Sequence, residues 1–365
     1  MLEMIDRSWI KKSKDEPVLI AGPCSAESEE QVLNVSRELK DIGVDYIRAG
    51  IWKPRTRPNS FEGIGAPALR WLQTARQELN MPFAVEVANP YHVEVALKHD
   101  IDVLWIGARS TVNPFTVQEI AEALRGVENP VLVKNPINPD LALWIGAIER
   151  LMNQGIEKVG AIHRGFSSFG KNKYRNEPLW QIPLELKRNF PEIPLICDPS
   201  HIGGTRNQIA PISQRALDMN YDGLMIEVHP NPDKALSDAK QQVTPERFGE
   251  IKKDLHLRHS SSDNELFRSR LEELREKIDS IDHDLITTLS ARHKVIEEIG
   301  FYKKENDVHV FQLKRWNEIM LTRPEWASKL DLDPEMIEEI YKLIHADSLK
   351  VQTRILNEET RNQPT

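Results

Sequence analysis

Residues 17 to about 230 alternate short runs rich in Val, Ile and Leu with helix-patterned segments of about 15 to 30 residues, and this alternation constrains the fold more than any other feature. The apolar runs fall at 17–22, 46–50, 83–87, 103–107, 131–134, 160–163, 195–198 and 223–228. They mostly lack polar alternation, as parallel strands buried on both faces do. Segments between them, such as 28–42 and 115–125, carry apolar residues at helical spacing. Eight strands each followed by a helix predict a (β/α)8 TIM barrel, an α/β fold. The competing architecture is a doubly wound open sheet, but no GxGxxG follows the first run to support it.

Past Leu255 the pattern changes. Residues 256–265 are polar and Ser-rich and read as a linker. Beyond them Leu266, Leu271, Leu274, Ile278, Ile281, Leu285, Leu289, Val295 and Ile299 recur at helical spacing for nearly forty residues. Asp263 is placed to cap this helix and Asn306-Asp307 to end it. Helical stretches at about 310–322 and 334–357 follow, without strand signals. The expected organisation is a barrel over 1–255, a linker over 256–265 and an all-α helical domain over 266–365. Two short helices cannot cover the apolar stripe of the long one. A homodimer or higher oligomer through this domain is therefore expected.

The chain has 56 acidic and 48 basic residues, a net charge of −8. That balance argues against nucleic-acid and membrane-surface partners, so an anionic substrate has to be drawn by local basic clusters. Two cysteines, Cys24 and Cys197, are too few for a disulfide framework and suit a reducing cytoplasm. The first 17 residues lack the apolar core of a signal peptide, and no run approaches a membrane span. A cytoplasmic location is the expectation.

The charged groups embedded in the apolar runs gather at the carboxyl ends of the strands, where barrel active sites are built. Cys24 follows the first run, Arg48, Lys53 and Arg55 end or follow the second, and Glu86 is near the end of the third. Arg109 follows the fourth, Lys134 ends the fifth, and His163 and Arg164 end the sixth. Asp198 and His201 follow the seventh, and Glu227 ends the eighth. Arg48, Lys53, Arg55, Arg109, Lys134 and Arg164 form a cationic set whose self-repulsion anions would offset. Arginine forks suit phosphate and carboxylate oxygens, so a phosphorylated anion, or two, is the expected substrate. Cys24, His201, Glu227 and Asp238 offer a thiolate, an imidazole and two carboxylates, a set able to hold a divalent transition metal. Their spacing matches no short metal motif, which leaves a buried structural Cys24 as the alternative.

Seven motifs occur in order: Ala21-Gly-Pro-Cys-Ser25, Lys53-Pro-Arg-Thr56, Gly107-Ala-Arg109, His163-Arg-Gly165, Asp198-Pro-Ser-His-Ile-Gly-Gly204, Glu227-Val-His-Pro230 and Ala235-Leu-Ser-Asp238. With them, roughly residues 15–250 resemble the short-form (type I beta) 3-deoxy-D-arabino-heptulosonate 7-phosphate synthases. That family condenses phosphoenolpyruvate with erythrose 4-phosphate using a divalent metal such as Mn2+. The resemblance implies Cys24, His201, Glu227 and Asp238 as metal ligands. It implies Arg109, Lys134 and Arg164, with Arg48 nearby, as the phosphoenolpyruvate cradle. Lys53, Arg55 and Thr56 would meet erythrose 4-phosphate, with Lys53 donating a proton to the developing alkoxide. Glu86 and His163 are polar groups near the path of the attacking water. The sister octulosonate 8-phosphate synthases are the competitor within the fold, and Lys53-Pro-Arg-Thr56 favours the four-carbon aldose. A regulatory extension that some relatives carry before the barrel is not expected in the 16 residues preceding the first run.

Residues 265–357 resemble the all-helical chorismate mutases through Leu274-Arg275-Glu-Lys-Ile278, Asp279-xx-Asp282, Ala291-Arg292, Gly300-xx-Lys303, Arg315 and Asp347-Ser348-xxx-Gln352. Arg292 and Lys303, 11 residues apart, point the same way within ~20° and ~16 Å apart along the axis, so they can grip one dianion. Arg275 is 17 residues before Arg292, ~25 Å away, and cannot easily share that pocket within one chain. It is either a surface residue or part of a partner chain's pocket. The resemblance implies that Arg275 of a partner chain and Arg292 bind the two carboxylates of chorismate. Lys303 and Gln352 would bond the ether oxygen, and Ser348 would lie near a carboxylate. Gln312 and Trp316 stand beside Arg315 where many relatives place acidic residues. A bifunctional synthase and mutase, with feedback by prephenate or chorismate through the helical domain, is the expected function. The alternative is a synthase with a non-catalytic helical sensor or dimerisation domain.

Overall fold

Strand parity builds the first unit. In the computed structural model, residues 5–10, 16–53, 61–168, 173–259 and 261–358 are described. Eight parallel strands, β1 (Val18–Gly22), β2 (Tyr46–Arg48), β3 (Phe83–Val87), β4 (Val103–Ile106), β5 (Val131–Lys134), β6 (Val159–His163), β7 (Leu195–Cys197) and β8 (Gly223–Glu227), pair in sequence order. The barrel closes by β1 against β8, with Val18 opposite Gly223 and Gly22 opposite Glu227. Successive strand residues face opposite sides. Ile20, Ala84, Trp105, Leu132, Ile162, Ile196 and Met225 therefore fill the interior, while Leu19, Val85, Val133, Ala161, Cys197 and Ile226 pack against the surrounding helices. The same parity turns Arg48, Lys134 and Glu227 inward at the carboxyl ends.

The helices that follow the strands begin at side-chain caps. Ser28 accepts from Gln31 N before Glu29–Ile42, and Asn89, Asn113, Asp140 and Thr244 cap later helices in the same way. Each such cap contributes about 1 kcal/mol by satisfying an orphan amide.

The chain divides into two compact units, Met1–Ser260 and Ser261–Thr365. Part of the polar segment expected as linker is bonded to the first unit. His256 N donates to Gln214 Oε1 and Arg258 Nε to Asp218 Oδ1.

Three helices, Glu265–Glu305, Leu313–Lys329 and Pro334–Asn357, make up the described part of the second unit. Two sequence expectations need correction here. Asn264, not Asp263, caps the long helix, its Oδ1 accepting from Phe267 N at 3.1 Å. The middle helix runs seven residues past Thr322 and through Pro324, because Ile319 and Ala327 are buried on one face either side of that proline. Gly300 lets the long and last helices approach: a Cβ there would meet Ile355 Cδ1 at 2.8 Å and Gln352 Cγ at 3.5 Å. From 265 to 290 the long helix is exposed apart from half-buried Leu271. Leu266, Leu274, Ile278, Ile281, Leu285, Ile286 and Leu289 all stand in solvent there. No helix among the described residues is long and apolar enough to cross a membrane.

Candidate functional sites in the barrel and the helical unit

The barrel rim brings the scattered cations together. Arg109, Lys134 and Arg164 line one cavity of about 270 Å3 with Glu86, Arg175, Asn176 and His201. Lys134 Nζ donates to Asp198 Oδ2 at 2.8 Å, with both groups buried. Burial, with Arg175 and Arg109 nearby, pushes the Arg164 guanidinium down to about 10, against the opposing pull of Asp198. Crowded, desolvated cations of this kind favour an arriving anion. Below them Trp105 lies 5.2 Å from Arg48 Cζ and 5.8 Å from Lys134 Nζ, and donates its Nε1–H to Glu86 Oε2. One oxygen of Glu86 is thus engaged with the barrel floor.

Beside the cavity, ligand atoms of Cys24, Glu227 and Asp238 all lie within 4.8 Å of one another. Cys24 Sγ is 3.5 Å from Asp238 Oδ2, and Lys53 Nζ is 3.2 Å from the same sulfur. Arg48, fully buried, pairs with Glu227 at 3.2 Å rather than lining the anion cavity. His201 stands outside the group of three. Its Nε2 is 3.8 Å from Glu227 Oε1, and its Nδ1 is 2.8 Å from Asp198 Oδ2. Burial lowers the His201 pKa despite the opposing Asp198, which favours the neutral ring. Asp198 thereby serves two neighbours, Lys134 on one side and His201 on the other.

The residues fit a divalent transition metal on two observations. Glu227 Oε1 is buried and makes no hydrogen bond among the described residues, although Arg48 Nη2 lies 3.2 Å away, and the donors mix sulfur, nitrogen and carboxylate oxygen. Burial and Glu227 push the Cys24 thiol up to about 12, so it is protonated until something replaces the proton. Asp238 holds a left-handed backbone, φ 47°, a strained conformation of the kind that functional sites retain. Burial opposes the charge of Lys53, but Cys24 and Glu227 raise its pKa above the ordinary value. Arg55 and Thr56 lie outside the described residues.

His163 is not at the rim cavity. It follows inward Ile162, so parity turns it outward. Its Nε2 donates to Pro178 O at 2.7 Å and Tyr221 Oη donates to its Nδ1 at 3.0 Å. Burial lowers it to about 3, so it is neutral. Sequence reasoning missed Arg175 and Asn176, which sit in the loop after β6. No periodic signal reaches that far past a strand end.

The helical unit assembles a second cluster. Arg292 Nη1 donates to Ser348 Oγ at 2.8 Å, joining the long and last helices. Lys303 Nζ donates to Val310 O at 2.6 Å, and buried Gln352 Oε1 has no hydrogen-bond partner among the described residues. Burial lowers both Arg292 and Lys303 below their ordinary values. Arg315 is exposed and paired with Glu318 at 2.7 Å. Trp316 packs on His345, ring centroids 4.0 Å apart. Arg323, also missed from the sequence, lies 4.4 Å from the Trp326 ring with its Nε buried and unpartnered. Arg275 is not brought to this cluster. It is 62% exposed and, among the described residues, pairs with Glu272 at 3.5 Å.

Comparison with known proteins gives these two clusters their context. The model of the DAHP synthetase I family matches residues 4–260. The chain belongs to the DAHP synthetase I family. The chorismate mutase type II model matches residues 274–353, so a synthase domain is followed by a mutase domain in a shikimate-pathway enzyme. A phospho-2-dehydro-3-deoxyheptonate aldolase of Thermotoga maritima is 31% identical over 252 residues, 69% of this chain and 72% of the relative. A 2-dehydro-3-deoxyphosphooctonate aldolase of Desulfotalea psychrophila is 31% identical over 258 residues, 64% of this chain and 86% of its own. The crystal structure of the Thermotoga DAHP synthase superposes with a TM-score of 0.59 at 31% identity, covering 65% of this chain and 67% of that one.

Proposed function

We propose that the DAHP synthetase I barrel condenses phosphoenolpyruvate with D-erythrose 4-phosphate to 3-deoxy-D-arabino-heptulosonate 7-phosphate and phosphate, and that the helical unit rearranges chorismate to prephenate. One observation carries the first half: a single cavity holds Arg109, Lys134 and Arg164, with His201 on its wall next to the Cys24, Glu227 and Asp238 cluster. The three cations bind the carboxylate and phosphate of phosphoenolpyruvate. Lys53, kept charged by its neighbours, donates a proton to the aldehyde oxygen as C3 of phosphoenolpyruvate attacks the carbonyl carbon. Water then adds at C2 and phosphate departs. Arg55 and Thr56, with Lys53, meet erythrose 4-phosphate, and Lys53-Pro-Arg-Thr56 favours it over the substrate of octulosonate-type relatives. Cys24, Glu227, Asp238 and His201 hold a divalent cation, Mn2+ by preference, which when bound supplies Lewis-acid polarisation of the aldehyde. The test is heptulosonate phosphate formation by purified protein together with its metal content. No product, or equal rates with and without chelator, overturns the reading.

In the helical unit, Arg292 with Ser348 receives one carboxylate of chorismate, with Arg315 alongside. Lys303 and Gln352 bond the ether oxygen as it takes on charge in a rearrangement that needs positioning and no nucleophile. Arg275 from a second copy completes the pocket, and pairing of the exposed 265–290 stripes makes a homodimer or larger assembly. Trp316 against His345, where many mutases keep an acid, favours a second role for this unit as a feedback sensor of prephenate or chorismate. Prephenate that leaves synthase rates unchanged overturns that role. Both cysteines are free and buried, which supports a cytoplasmic setting.

A further inference from the structure

Arg175 and Asn176, in the described segment 173–180, carry side chains that touch both halves of the barrel site. Asn176 Oδ1 accepts from Arg164 Nη1 at 2.7 Å. Its Nδ2 donates to His201 O at 2.6 Å, and its backbone N donates to Ile202 O at 3.2 Å. Arg175 Nη1 donates to Asp238 Oδ1 at 3.0 Å and also to Gln241 Oε1. Gln241 in turn donates Nε2 to Glu227 Oε2 at 2.6 Å. Gly204, at φ 69°, gives Arg175 its place: a Cβ on Gly204 would lie 2.5 Å from Arg175 Cβ. The last residue of the Asp198-to-Gly204 segment thus leaves room for the loop that crosses it.

We propose that Arg175 and Asn176 are positioning residues that lock the anion cradle to the cation centre. This rests on the synthase reading of the barrel. Arg175 fixes one oxygen of Asp238 directly and one oxygen of Glu227 through Gln241, leaving Asp238 Oδ2 facing Cys24 Sγ and Glu227 Oε1 between Arg48 Nη2 and His201 Nε2. Asn176 fixes the Arg164 fork and the backbone of His201 together. An anion that seats Arg164 and a cation that gathers the carboxylates therefore favour the same loop position. Coupling of this kind is reciprocal for the two ligands.

The sign of one measurement separates a brace from a bystander charge. A guanidinium beside a cation site repels the ion, so if Arg175 acted only by charge its removal would tighten metal binding. If it holds the ligands in place, its removal weakens binding by about 10- to 100-fold, as loss of groups that orient metal ligands does. The experiment titrates metal-stripped full-length protein with Mn2+, reading free ion by electron paramagnetic resonance, with and without phosphoenolpyruvate. Arg175→Ala is expected to raise the Mn2+ Kd by that factor, and Arg175→Lys, which keeps a donor, to recover part of it. An unchanged or lower Kd in Arg175→Ala overturns the proposal. Gln241→Ala cuts only the Glu227 branch. It is expected to give a smaller loss of the same sign, and it tests the brace if Arg175→Ala does not fold. In Asn176→Ala the tightening of Mn2+ by phosphoenolpyruvate is expected to shrink relative to the native protein, and undiminished tightening overturns the coupling. Native protein that takes up no Mn2+ overturns the metal reading itself and this inference with it. Native binding with an unaffected Arg175→Ala overturns the inference alone.

Discussion

The two candidate sites of this chain are built to different degrees of completion. At the barrel rim, buried charges meet their partners within one chain: Arg48 with Glu227, Lys134 with Asp198, Arg164 with Asn176. In the helical unit Arg292, Ser348, Lys303 and Gln352 gather, but Arg275 remains on a bare stretch of helix. The cores differ in the same sense. Among the described residues of the second unit only Ile319, Ala327, Val351 and Ile355 are buried apolar side chains, whereas the barrel has an inner and an outer layer of them. A sheet that closes on itself covers both its faces. A long amphipathic helix flanked by two shorter ones leaves its stripe for something else to cover.

The largest expected effect probes the self-contained half. Cys24→Ala is expected to remove bound metal and abolish heptulosonate phosphate formation while chorismate turnover stays at the native rate. Metal analysis and the two assays on one preparation check it, and retained metal with retained synthase activity breaks the assignment. Lys303→Ala is expected to lower the mutase rate by about 10²- to 10³-fold through loss of the donor to the ether oxygen. Synthase activity should be unaffected, so an unchanged mutase rate would put the pocket elsewhere.

A subunit-exchange experiment sharpens the contrast itself. Arg275→Ala and Lys303→Ala proteins, each inactive as mutases, are mixed and allowed to exchange. If pockets are shared across chains, one intact site forms in each mixed dimer and about a quarter of native activity returns. No recovery on verified exchange means the pocket is complete within one chain.

The smallest effect concerns His163. Its pKa is lowered to about 3 by burial, against 6.5 for the exposed group. The unfolded chain binds a proton below about pH 6.5 that the folded barrel refuses down to about 3. The stabilisation is therefore whole above that range and declines by about 1.4 kcal/mol per pH unit as pH falls through it. Urea midpoints of the barrel transition between pH 7 and 4 are expected to fall less steeply in His163→Asn than in the native protein.

The eight strands were readable because runs buried on both faces need no polar residue until their ends, so Arg48, Lys134 and Glu227 stood out against Val and Ile. Parity would also have turned His163 outward from inward Ile162, a step that counting end residues alone overlooks. Arg175 and Asn176 were not legible, because a loop has no period and their partners lie across the rim. His201 stands apart from the other three candidate ligands, with Nε2 3.8 Å from Glu227 Oε1 and Nδ1 2.8 Å from Asp198 Oδ2, an orientation that only the distances reveal. Asp263 and Asn264 are both good caps for the long helix by residue type, and only Asn264 Oδ1 reaches Phe267 N.

If the bare helix from 265 to 290 pairs with a second copy as proposed, one half of this molecule answers to concentration. On the proposed pairing, dilution that parts two chains strips Arg275 from the opposite pocket and silences chorismate turnover first, while the rim of each barrel keeps its full complement of side chains. Assays run far below the dissociation constant would then describe an enzyme with one activity, and crowded ones an enzyme with two.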